Sequence, residues 1–163
     1  MRKETKRLTL YGILASLAMV LSYVESQIPP LVAVPGMKLG ITNIVVLVAL
    51  YMLGNKGAYA INLVRIIVIS MLFGTAMSFA FSIAGGMLST TVMVLLKKLG
   101  KFSQVGVSCA GGISHNIGQI IIAMILLNTK AIMWYLPVLW ITGIVSGIVI
   151  GIIGGIVCKH LKV

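Results

Sequence analysis

The chain has 163 residues, 60% of them hydrophobic and 9% charged, with a mean hydropathy of +1.14. A soluble domain carries roughly 25% charged residues, so this composition excludes one and points to an all-α integral membrane protein. The formal charge of +11 does not indicate nucleic acid, because the basic residues lie at the ends of apolar segments and form no soluble basic face.

A basic stretch from Met1 to Arg7 precedes an apolar run over 8–24. That run is longer than the roughly 7–15 residues of a signal-peptide core, and no A-x-A-like site follows, so it reads as a retained first helix. Its small residues Gly12, Ala15, Ala18 and Ser22 suit either contact within a bundle or docking of another membrane subunit. The link from Glu25 to Lys38 is the longest external one. Pro29, Pro30 and Pro35 prevent it from continuing as helix, and we expect it to act as a lid.

The second apolar run, 39–53, has Lys38 and Asn43 beside a Gly36–Gly40 turn at its outer end. Arg65 stands near the centre of the third, 58–73. An ionisable residue at that depth is expensive and starts as a functional-site hypothesis. Arg65 keeps its charge, so it needs Glu25, an array of carbonyls or an anionic ligand. Both runs fall short of the roughly 20 residues of a comfortable span, which predicts tilted pieces or extension into their flanks.

The fourth run, 76–96, carries Ser78, Ser82, Gly85 and Ser89, and the fifth, 104–127, carries Ser108, Gly112, His115, Asn116 and Gln119. Steps of three and four place each set on one helical face. Polar atoms facing lipid would remain unsatisfied, so both stripes are expected to face inward, as interhelical hydrogen bonds or as ligand contacts. The sixth run, 133–157, has Gly143, Gly147, Gly151 and Gly155 at intervals of four, a packing stripe. Cys109 and Cys158 show no CxxC spacing and read as buried packing residues.

Six spans, forming one membrane domain over 1–163, put both termini on one side. Arg2, Lys3, Lys6, Arg7, Lys56, Lys97, Lys98, Lys101, Lys159 and Lys162 fall on that side, against Lys38 and Lys130 opposite. The positive-inside rule therefore predicts cytoplasmic termini. The chain has no Asp and only two Glu, Glu4 and Glu25, and it lacks GxxxxGK[ST]. It is not expected to hydrolyse ATP by the P-loop route, so energy must come from a partner or a gradient. No catalytic residue, metal site or cofactor is expected. If Lys38 folds over the pocket, it and Arg65 outnumber Glu25, favouring a phosphate or carboxylate group.

The segments Pro35-Gly36-Met37-Lys38-Leu39-Gly40-Ile41-Thr42-Asn43, Arg65, Leu72-Phe73-Gly74, Ser82 to Ser89, Gly106-Val107-Ser108 and His115-Asn116-Ile117-Gly118-Gln119 resemble the Gx transporter family. Its members are often labelled heptaprenyl diphosphate synthase component I. That family is similar to the S components of energy-coupling factor transporters, small six-helix bundles. The resemblance implies a substrate-capturing subunit in a bacterial cytoplasmic membrane that works with a transmembrane coupling subunit and two cytoplasmic ATPase subunits. It also implies docking through small residues of the first helix, here Gly12, Ala15 and Ala18. The synthase label conflicts with the absence of Asp, since magnesium-dependent prenyl diphosphate synthases use paired Asp-rich motifs.

The leading expectation is a transporter subunit, surrounded by membrane lipid, for a small amphipathic anion of the vitamin or cofactor class. Glu25, Lys38, Asn43, Arg65, Ser82, His115, Asn116 and Gln119 are the substrate-binding candidates. The competing expectations are a non-catalytic membrane subunit or scaffold in isoprenoid or quinone metabolism, and a stand-alone gradient-driven carrier.

Overall fold

A computed structural model describes residues 3–28, 38 and 40–161. Most of the expected Glu25–Lys38 lid, with Pro29, Pro30 and Pro35, lies outside the described residues. The chain forms α1 (Lys3–Gln27), α2 (Asn43–Met52), α3 (Asn55–Phe73), α4 (Ala76–Leu99), α5 (Gln104–Leu126), a 3-10 turn (Ala131–Tyr135) and α6 (Leu136–Leu161). Five of the six α-helices are long and apolar enough to cross a membrane. The chain is a multi-pass membrane protein.

The exception is α2. Its 10 residues rise about 15 Å at 1.5 Å each, half of the roughly 30 Å hydrocarbon core. The apolar run over 39–53 predicted a longer element, but a turn at Gly40, whose φ of +81° is open to glycine, delays the helix. Gly54, at φ +82°, ends the segment. By contrast, α3 extends into its flank and reaches 19 residues.

A helix apolar all round is a buried one, and α2 obeys this: Val45 to Leu50 are all buried. Val45, Val48 and Ala49 pack with Leu14, Ala18, Ile61 and Cys158. Val46, Leu47 and Leu50 pack with Met93, Val107 and Ile150. Neighbours also complete its ends, where helices leave backbone groups unpaired. At the start, Glu25 accepts from the Gly40 and Ile41 amides and from Thr42 Oγ1. At the finish, Arg7 Nη2 donates to the Leu53 carbonyl at 3.4 Å and Lys97 Nζ to that of Leu50 at 2.5 Å. Acid at the N-terminus and base at the C-terminus also match the helix dipole.

These contacts put the start of α1, the end of α2 and the end of α4 at one end of the bundle. The end of α6 joins them, since Cys158 shares a cluster with Leu53. At the opposite end, the rings of Tyr23 and Phe73 meet at 4.8 Å between centroids.

The tightest packing runs from α4 through α5 to α6, and glycine permits it. A Cβ on Gly147 would lie 2.5 Å from Cys109 Cα, and one on Gly118 2.7 Å from the Ala84 carbonyl oxygen. Such close approach suits helices that associate in lipid through packing. In α6 the contact stripe is Gly143, Gly147, Gly151 and Gly154, with Gly155 looser.

Candidate functional site

Arg65 is 4% exposed and therefore faces protein, away from lipid. It lies three residues after Asn62 on the buried face of α3, and its Nε donates to Asn62 Oδ1 at 2.9 Å. Asn62 Nδ2 in turn donates to Thr90 Oγ1 on α4 at 2.9 Å. Toward α1, Arg65 Nη1 donates to Ser22 Oγ at 3.3 Å. Ser22 Oγ is 3.0 Å from Thr42 Oγ1, which donates to Glu25 Oε2 at 2.9 Å. A hydroxyl relay thus connects the guanidinium to Glu25, and no direct ion pair joins them among the described residues.

Glu25 has spent its acceptors on the turn before α2, which makes it an anchor for that turn. Its charge still acts across the cluster. Glu25, Arg65 and Lys38 all lie within electrostatic reach of His115. Lys38, in the loop, has its ammonium pushed below the ordinary lysine value by burial, with Glu25 opposing and Arg65 adding to the shift.

On α5, Gln119 Oε1 accepts from the Lys38 amide at 3.3 Å. That bond orients the amide, so Gln119 Nε2 donates to His115 Nε2 at 2.8 Å. A neutral ring then carries its proton on Nδ1. The Gly85 backbone packs against the ring, and Nδ1 has no hydrogen-bond partner among the described residues. Asn43 Nδ2 and Ser82 Oγ are likewise buried without partners there, as are Ser70 and Ser89. Gly40 links Asn43 and His115: a Cβ on it would lie 3.1 Å from Asn43 Nδ2 and 3.3 Å from His115 Cδ2.

Consecutive glycines on α4 bring the two halves together. A Cβ on Gly86 would meet Asn62 Nδ2 at 3.1 Å, and one on Gly85 would meet the His115 carbonyl oxygen at 2.9 Å. Gly86 therefore seats the Arg65 side and Gly85 the His115 side.

The expected single polar face of α5 is divided. His115 and Gln119 face α4 and the turn before α2. Asn116 instead donates to the Leu139 carbonyl at 2.6 Å, and Gly112 and Ser108 also pack on α6. A helix buried on two sides presents polar residues to both neighbours, and residues 115 and 116 diverge by about 100°. On α1, Ala18 is fully buried (0% exposed) and Ser22 joins the relay, while Gly12 is exposed. Gly12 and Ala15 line a surface groove of about 260 Å³ with Tyr11, Ala60, Ile61 and Val64. Sequence reasoning missed Thr42 and Asn62 and left Ser22 open between bundle contact and docking; its burial and its bonds to Thr42 and Arg65 place it within the bundle. The usable signal was spacing: Ser22 precedes Glu25, and Asn62 precedes Arg65, by three residues.

The family described as heptaprenyl diphosphate synthase component I matches residues 14–157, and the chain belongs to it. The description names a component, which implies a partner component in a complex. Neither the search of curated proteins nor that of solved structures found a match.

Proposed function

We propose that this chain is the substrate-binding subunit of an energy-coupling factor type transporter, taking up a small amphipathic anion of the vitamin or cofactor class. One observation carries the reading. Arg65 and Lys38 gather at one buried cluster where His115 Nδ1 and Asn43 Nδ2, both donors, have no partner among the described residues. Leaving a buried donor unmade costs about 1–3 kcal/mol, and an anion with several acceptor oxygens is the chemistry that would satisfy this set. Ser82 and Gln119 would complete the polar wall, with Glu25 holding the turn and Asn116 fixing α5 to α6.

A topology of six crossings with cytoplasmic termini in a bacterial cytoplasmic membrane accords with the basic residues near the α2–α3, α4–α5 and terminal ends. The short α2 and its preceding turn would make the second crossing. The groove at Gly12 and Ala15 would receive the coupling subunit, with Ala18 packed behind it, and two ATPase subunits would supply energy. The chain has no Asp, which favours a non-catalytic role.

The family's description favours a second reading, a membrane subunit of a prenyl diphosphate synthase complex. Purification of the intact chain from native membranes separates them. Capture of a coupling protein and ATPase subunits is expected; capture of a prenyltransferase in their place would overturn the transporter reading. Uptake by liposomes containing this chain alone would instead establish a gradient-driven carrier.

A further inference from the structure

At the end of the bundle opposite Arg7 and Lys97, the α5–α6 link turns through Asn128, whose φ of +46° lies in the left-handed region that Asn tolerates. The 3-10 turn follows, and Pro137, lacking an N–H, suits the opening turn of α6. Between turn and helix opens a cavity of about 450 Å³ lined by Lys130, Met133, Trp134, Leu136, Pro137 and Trp140. This size falls within the roughly 300–1,000 Å³ range of small-molecule sites.

Its chemistry is specific to a membrane interface. Trp134 is 86% exposed and Trp140 49%, and tryptophans at such a border sit at headgroup level. Lys130 is exposed; its carbonyl accepts from the Met133 amide at 3.0 Å, while its ammonium has no hydrogen bond or ion pair among the described residues. The other described basic residue expected at this end, Lys38, is drawn toward the buried cluster. Lys130 therefore concentrates this end's exposed positive charge beside an aromatic, apolar wall.

We infer that this cavity is a site for an anionic phospholipid, its phosphate held by Lys130 and its glycerol and upper acyl region held against Trp134 and Trp140. A zwitterionic lipid offers the same tail but carries a cation that Lys130 repels. A basic residue near a membrane surface typically favours anionic lipid by about fivefold.

The chain has only two tryptophans, and both line this cavity, so its intrinsic fluorescence reports on the site. The full chain is reconstituted in phosphatidylcholine vesicles containing equal mole fractions of acyl-brominated phosphatidylglycerol or acyl-brominated phosphatidylcholine. We expect the phosphatidylglycerol to quench preferentially, corresponding to about fivefold local enrichment. Lys130→Gln should equalise the two lipids, while Lys130→Arg and Lys159→Gln retain the preference. Equal quenching in the unmodified chain, or a preference that survives Lys130→Gln, would overturn the assignment.

Discussion

At the scale of single residues, the bilayer's cost for charge is met here by hydroxyls and amides. Arg65 keeps its guanidinium between Asn62 and Ser22, and Glu25 is consumed by the turn before α2. Glu25→Leu would strand the Gly40 and Ile41 amides, so stability should fall by at least about 2 kcal/mol, seen as a lower thermal midpoint in detergent. Glu25→Gln keeps an acceptor for both and should leave the midpoint nearly unchanged. It also removes the negative charge nearest the cluster, so affinity for an anion should rise. A Gln variant as unstable as the Leu variant would show that the charge, rather than the acceptors, holds the turn. Arg65 was legible in the sequence because a charge interrupts an apolar run. Asn62, three residues earlier on the same helix, could have been found from that spacing; Ser22 could not, since a hydroxyl pairing between helices leaves no periodic trace.

At the scale of elements, α4 is the spacer whose thickness sets the distance between α3 and α5. Gly85→Ala would place a methyl against the His115 carbonyl, a backbone atom that cannot swing aside. We expect a loss of about 1–3 kcal/mol from overpacking, together with weaker ligand retention because His115 and Gln119 are displaced. Alanine at the open Gly12, inside α1 where a Cβ meets nothing within 4 Å, should not lower thermal stability and gains up to about 1 kcal/mol of helix propensity. Equal melting of the two variants would contradict the spacer role. The long helices were readable from hydropathy, as the agreement over 76–96 with α4 and 104–127 with α5 shows. The brevity of α2 was not, because an apolar run does not reveal where a glycine turn replaces helix. The same ambiguity hid the 3-10 turn, which occupies the start of the run over 133–157.

For the whole molecule, the decisive feature is a buried ten-residue helix surrounded by five long ones. If α2 and its preceding turn complete a crossing, Lys56 faces the same side as the start of α1; α3 and α4 then bring Lys98 back to that side, and α5 carries Ala131 to the other. In a chain lacking Cys109 and Cys158, single cysteines at positions 56 and 98 should react with impermeant reagent only from the cytoplasmic side, and one at 131 only from outside. Labelling of position 56 from outside would contradict the cytoplasmic placement of this end.

The proposed role depends most directly on whether Arg65 holds a negative ligand. Molecules retained by the detergent-purified chain would be identified by mass spectrometry, and the affinity of the retained compound measured by calorimetry on the intact chain and on Arg65→Ala. The account predicts an anionic compound whose binding weakens at least about a hundredfold in the variant, as expected for loss of a buried charged contact, with membrane insertion unchanged. An uncharged or cationic compound, or equal affinity in the two proteins, would contradict it.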